Sequence, residues 1–185
     1  AGLNRGGNGI LMTYRFLSAG TVSIHDDRWF THPWGVNGGK PGARARKILE
    51  RADGTQTIVA NKLDSLDVAA GDMLHFITWG GGGWGDPLQR DPALVGLEIR
   101  QGLVSVAGAR AYGVVADADG RVDAEATAQL RRELAAAAPA APLLFDRGGS
   151  IDELRARCLA ETGLPAPRPP VWHHGPDTTA PLAAE

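Results

Sequence analysis

Met73-Leu74-His75-Phe76-Ile77-Thr78-Trp79 runs directly into Gly80-Gly81-Gly82-Gly83-Trp84-Gly85-Asp86-Pro87, and the change of character between the two divides the chain. The first part is apolar enough on both faces for a central β-strand. The second formally contains the spacing G-x-G-x-x-G after a strand. A dinucleotide fingerprint also needs a helix whose amino terminus faces the pyrophosphate, and an acidic residue on a second parallel strand. Here Asp86-Pro87 follows, the first good helix cap is Asp91, and no such strand is present. The run therefore reads as a tight connection where backbones approach closely, which glycine alone permits.

Upstream, the sequence alternates as strands do. Ile10 to Ser18 places Met12, Tyr14 and Phe16 on one face and Leu11, Thr13, Arg15 and Leu17 on the other, and predicts a strand buried on much of both. Ala19-Gly20 reads as a turn, with Thr21 to His25 as the returning strand. Lys47 to Glu50 and Gln56 to Ala60 flank Asp53-Gly54, a strong hairpin signal. Ala70-Gly71-Asp72 turns the chain into Met73 to Thr78. Asp26 to Gly42 is a loop rich in Trp, Pro and Gly.

Downstream, helical punctuation takes over. Asp91-Pro92 caps and opens a helix that Gly102 stops. Ser105 caps a short one ending near Tyr112-Gly113. Asp119-Gly120 makes a small hairpin, and Asp123 caps a helix to about Leu134. Ala135 to Pro142 reads as a linker. Ser150 with Glu153 forms a capping box for a helix ended by Gly163, with Cys158 a small buried hydrophobe on its apolar face. From Pro165 a Pro-rich, extended tail is expected. The class is α+β: antiparallel, sandwich-like strands in residues 1–87, a helical segment with a small hairpin in 88–137, and linker, short helix and tail in 138–185.

Composition removes several functions. Of 185 residues, 19 are Lys or Arg and 21 are Asp or Glu, a net charge of −2, which leaves no electrostatic footprint for nucleic acid or an anionic membrane. No apolar run approaches the roughly 18 residues of a membrane span. A lone cysteine excludes an internal disulfide and a Cys-rich zinc cage. The chain opens without an initiator Met on the Gly-rich stretch Ala1 to Gly9, and reads as a piece of something longer or as a separate subunit.

Three groupings invite chemistry. Gly38-Gly39-Lys40-Pro41-Gly42 fails as a phosphate loop, because Trp34 stands where its first glycine belongs and Pro41 where its hydroxyl belongs. His25, Asp26, Asp27 and His32 carry metal-ligand chemistry, with His25 and Asp27 on one face of a strand. Structural pairing is the stronger reading of that cluster, as it is for His75 in its apolar strand and for the tail residues His173-His174. Trp29, Trp34, Trp79 and Trp84 suit a pocket wall or a subunit seam.

Several of these motifs together resemble the carboxy-terminal part of the hydantoinase B/oxoprolinase family. They are Arg5-Gly6-Gly7-x-Gly9, Asp27-Arg28 with Pro33-Trp34-Gly35, and Gly38-Gly39-Lys40-Pro41-Gly42. Gly80 to Asp86 continuing through Pro87-Leu88-x-Arg90-Asp91-Pro92 belongs with them, as do Gly102-Leu103-Val104-Ser105, Tyr112-Gly113-Val114-Val115, Phe145-x-Arg147-Gly148 and Ile151-x-Glu153-Leu154. His32, Asn37 and Gly108 depart from the pattern. The resemblance implies a cytoplasmic, hetero-oligomeric hydrolase that opens cyclic amides such as hydantoins, 5-oxoproline and lactams after ATP-driven phosphorylation of the amide oxygen. It implies as partners the remainder of a B-type subunit and an A-type ATP-binding subunit. ATP with Mg, and a catalytic divalent metal (Zn or Mn), would be held elsewhere in the complex, with no metal or cofactor ligand in this chain. Asp27, Arg28 and His32 are the expected substrate-side contacts. Related complexes carboxylate acetone or acetophenone, which leaves that activity as an alternative, beside a purely structural role.

Overall fold

Seven strands fill the first half: β1 (Leu11–Arg15), β2 (Gly20–His25), β3 (Gly35–Val36), β4 (Arg46–Glu50), β5 (Gln56–Val59), β6 (Lys62–Val68) and β7 (Met73–Ile77). After them come α1 (Pro92–Arg100), α2 (Val106–Ala109), α3 (Ala124–Ala136), β8 (Phe145–Asp146) and α4 (Ile151–Thr162). The computed structural model describes residues 1–139 and 141–167. Most of the expected Pro-rich tail, with His173-His174, lies outside them. The chain is α+β, with antiparallel sheets followed by short helices.

The main sheet has the order β1-β7-β4-β5, which puts the apolar β7 inside it. β4 and β5 form the hairpin expected at Asp53-Gly54, with Gly54 at φ 86° in the left-handed region that such a turn needs. Leu49, Val59, Leu74 and Phe76 on one face of this sheet pack against Ile24, Val68, Val22, Leu63 and Leu66 of a second, two-stranded layer, β2-β6. A bulge lies in β6, where the register shifts between Val22 and Ile24 and Ser65 takes φ 57°.

Two strand expectations are corrected. β1 and β2 do not form a hairpin: β1 pairs with β7 and β2 with β6, in different layers. Nor is β1 buried on both faces. It is an edge strand with neighbouring chain on one side only, so Leu11 stays 65% and Tyr14 50% exposed. Apolar alternation marks a strand but does not show whether a second strand covers its outer side.

The turn before β7 is built around Asp72, which is 2% exposed. Its carboxylate accepts the Ala69 N–H at 2.9 Å, an Arg51 N–H at 2.8 Å and the Ala52 N–H at 3.1 Å. These bonds, the Ala69 N–H foremost, hold its pKa below the ordinary 3.8. A depressed carboxylate stabilises the fold above its unfolded pKa and loses that contribution as pH falls through the folded value. Asp72→Asn is expected to lower the urea midpoint at pH 7, and the gap to the parent should narrow below about pH 4. A gap unchanged between pH 7 and pH 2.5 would contradict this.

Glycine shapes the centre of the molecule. Residues 1–9, 33–43 and 80–85 lie backbone against backbone. Bonds run from Gly81 N to Gly7 O (2.8 Å), Trp84 N to Asn4 O (2.9 Å), Gly83 N to Lys40 O (2.9 Å), Val36 N to Gly83 O (2.9 Å) and Gly42 N to Pro33 O (3.0 Å). A Cβ on Gly82 would overlap the Trp34 carbonyl oxygen, and one on Gly83 the Ala1 carbonyl oxygen. The four-glycine run is thus a close-approach device, as read from its sequence, and no helix follows it to face a phosphate.

The helices start and stop where their caps dictate. Asp91, Ser105 and Asp123 accept N–H groups of their first turns, and the Ser150–Glu153 capping box is complete. Gly163 closes α4 at φ 68°. α3 runs to Ala136, slightly into the expected linker. Val95, Ile99, Ala109, Tyr112 and Val114 form a second core. It is tied to the glycine centre through Glu98, whose Oε1 accepts from Arg90 at 2.8 Å and from Arg5 at 3.0 Å. Leu154 and Cys158 of α4 pack on Phe30, so the last helix covers the loop before β3.

Candidate functional site

The loop from Asp26 to Gly42 is anchored at both ends. At its start, the buried Asp26 pairs with the fully buried Lys47 and accepts an Asn61 N–H at 3.2 Å. Lys47 also donates to Ile77 O at 3.2 Å and lies 3.7 Å from the Phe76 ring centroid. Burial pulls its pKa below 10.5, against the opposing pull of Asp26. At its far end the loop merges into the glycine centre.

The four candidate metal ligands go separate ways. His25 faces Asp64 at 3.1 Å, Asp27 faces Lys62 at 2.9 Å on the open surface, and Asp26 belongs to Lys47. His32 turns inward: its Nδ1 donates to Gly42 O at 2.7 Å, while its Nε2 is shut from solvent with no partner. Gly148 is why that ring fits, because a Cβ there would meet His32 Cδ2 at 2.7 Å. Among the described residues, no three His, Cys, Asp or Glu side chains come together to hold an ion. The residues present therefore do not fit a metal, and no chemistry is routed through one. His75 is satisfied, within 3.0 Å of Thr13 Oγ1 and 3.2 Å of a Glu50 carboxylate oxygen.

Arg28 and Trp34 do meet. Arg28 holds φ 58°, an outlier for a bulky residue, and its carbonyl accepts the Ala45 N–H at 2.8 Å. Its guanidinium lies over the Trp34 ring, 5.8 Å from the centroid. A second guanidinium, Arg147, lies over the same ring at 5.1 Å, and Phe145 meets it edge-on at 5.6 Å. The pairing of β3 with β8 brings them there, Val36 opposite Phe145. That two-stranded ribbon was not expected from the sequence, although Phe145-x-Arg147-Gly148 stood among the quoted motifs. Strand alternation sets Phe145 and Arg147 on one side; nothing local named Trp34 as their neighbour.

On the other side of the ribbon Asp146 lines an open cleft of about 950 Å³ between the glycine centre, the 3₁₀ turn Pro87–Gln89 and the end of α3. Trp84, Lys40 and Arg110 also border it. Its carboxylates are engaged at home: Asp86 accepts the Leu88 N–H and Asp146 the Gly148 N–H, each at 2.9 Å.

Comparison with known proteins agrees with this construction. The hydantoinase B/oxoprolinase family model matches residues 1–87, the strands and the glycine centre. An uncharacterized protein of Methanocaldococcus jannaschii is 38% identical over 135 residues, 71% of this chain and 24% of that protein. Caprolactamase subunit beta of Pseudomonas jessenii is 43% identical over 84 residues, 44% of this chain and 14% of that subunit. The crystal structure of the ATP-dependent caprolactamase from Pseudomonas jessenii superposes with a TM-score of 0.59 at 30% identity, over 71% of this chain and 24% of that one. Through these residues the chain belongs to the hydantoinase B/oxoprolinase family. It spans about a quarter or less of the length of the curated relatives it matches.

Proposed function

We propose that the chain is the carboxy-terminal segment of a B-type subunit in an ATP-dependent cyclic-amide hydrolase, where it completes the substrate-side fold and the subunit interface. The observation that carries the reading is the superposition on an ATP-dependent caprolactamase over 71% of the chain. An amide is a poor electrophile, and phosphorylating its oxygen creates a leaving group that water can displace. ATP, Mg and the catalytic metal belong, in this proposal, to the other parts of the complex, including an A-type subunit. Within the chain, Arg28 and His32 are the substrate-side contacts, with Asp27 at their outer rim. Exposed edge residues such as Ile10 (60%) and Leu17 (87%) support a surface made to be covered by further polypeptide.

The test uses the assembled complex. ATP-dependent hydrolysis of caprolactam, a hydantoin or 5-oxoproline is expected. Arg28→Ala and His32→Ala should each lower kcat/KM by about tenfold, with the complex intact by size-exclusion chromatography. Unchanged kinetics in both variants would remove the loop from the substrate side. Bicarbonate-dependent consumption of acetone without amide hydrolysis would overturn the hydrolase reading, and full activity without this segment would leave it structural.

A further inference from the structure

We propose that Arg28, Trp34, Phe145 and Arg147 form a recognition site for a small organic carboxylate, its oxyanion held by the two guanidiniums and its apolar body lying on the aromatic rings. Four features support this. Neither arginine has a carboxylate partner among the described residues, whereas Arg5, Arg44, Arg51, Arg90 and Arg121 do. The one bond found for the Arg28 guanidinium is a long one, 3.5 Å to His32 O. A guanidinium stacked on a ring keeps its in-plane N–H fork free for a planar oxyanion, and two forks side by side favour a bidentate carboxylate. Trp34 (43% exposed) and Phe145 (48%) leave aromatic surface open beside that charge.

The second pair of features is rigidity. The backbone at Arg147 is clamped, because Gly148 N donates to Asp146 at 2.9 Å and Gly148 O accepts from Arg157 at 3.2 Å. Arg28 occupies left-handed backbone that costs an ordinary residue about 1–2 kcal/mol. Glycine would hold that conformation without strain, so the arginine side chain is retained against local preference. The site needs neither ATP nor another subunit, and stands apart from the hydrolase reading.

The experiment is direct binding to the full chain, read by quenching of Trp34 fluorescence, with Trp34→Phe removing the reporter. Benzoate and hexanoate are expected to bind saturably, and the neutral benzamide and hexanamide at least tenfold more weakly. Arg147→Ala and Arg28→Gly should each weaken benzoate binding by about tenfold or more. Arg28→Gly keeps the fold at this φ, so its melting temperature should equal or exceed the parent's while binding is lost. Arg121→Ala, on a distant surface pair, should bind as the parent does. Absence of saturable binding would overturn the proposal. So would equal binding of the neutral amides, binding indifferent to Arg147→Ala, or inorganic phosphate binding as tightly as benzoate.

Discussion

Gly82→Ala is expected to abolish the native state. The added Cβ would overlap the Trp34 carbonyl oxygen, and the next contacts are the Trp34 carbonyl carbon and Gly35 N. All are backbone, so no side chain can rotate away, and one of the three interleaved segments must move. The neighbours leave no slack: a Cβ on Gly83 or Gly39 would overlap another carbonyl in the same bundle. The loss should exceed about 4 kcal/mol, a large share of the roughly 5–15 kcal/mol that holds a domain together. Two other glycines separate crowding from backbone conformation. Gly54 has φ 86° but no neighbour near its Cβ position, so Gly54→Ala should cost only about 1–2 kcal/mol. Gly20 has neither constraint, and Gly20→Ala should stay within about 0.5 kcal/mol of the parent. Urea unfolding followed by circular dichroism checks the series, and a Gly82→Ala protein as stable as Gly20→Ala would refute the close-approach account.

Asp26→Asn is the second large effect. It leaves Lys47, fully buried, without its counter-charge, and breaking a buried pair from one side costs about 3–5 kcal/mol. Lys47→Met keeps the stem over Phe76 and removes the charge, so it should be far milder, and the double variant should recover most of the Asp26→Asn loss. The pH dependence has a definite sign. Lys47 has a folded pKa below 10.5, so between that value and 10.5 the unfolded chain binds the extra proton. Its contribution to stability therefore rises as pH climbs through the folded value and levels off above 10.5. The stability difference between parent and Lys47→Met, from urea midpoints at pH 7 and pH 10, should shift in the parent's favour at the higher pH. A shift the other way would mean that Asp26, rather than burial, dominates the lysine.

Much of the molecule was legible in local signals. The caps at Asp91, Ser105, Asp123 and Ser150, the Asp53-Gly54 hairpin and the interior position of β7 each depend on a few adjacent residues and emerged where expected. The family motifs were likewise readable, and the match to residues 1–87 agrees with them. The candidate site was legible only in part. Arg28 and Trp34 lie in the loop singled out beforehand, and His32 sits beside Gly148, but Arg147 and Phe145 reach them from the far end of the chain. The metal-like grouping of His25, Asp26, Asp27 and His32 dissolved because each found a different partner: Asp64, Lys47, Lys62 and the Gly42 carbonyl.

Residue order alone settled the class, the helix limits and the need for glycine at 80–83, since propensity, capping and the missing Cβ act within a few residues of themselves. Folding in three dimensions decided which strands pair, which face of β1 stays open, and which arginines gather on Trp34. Those outcomes rest on contacts between distant segments, such as Val36 with Phe145 and Gly82 with Trp34, whose energies depend on shapes that exist only once both sides are assembled.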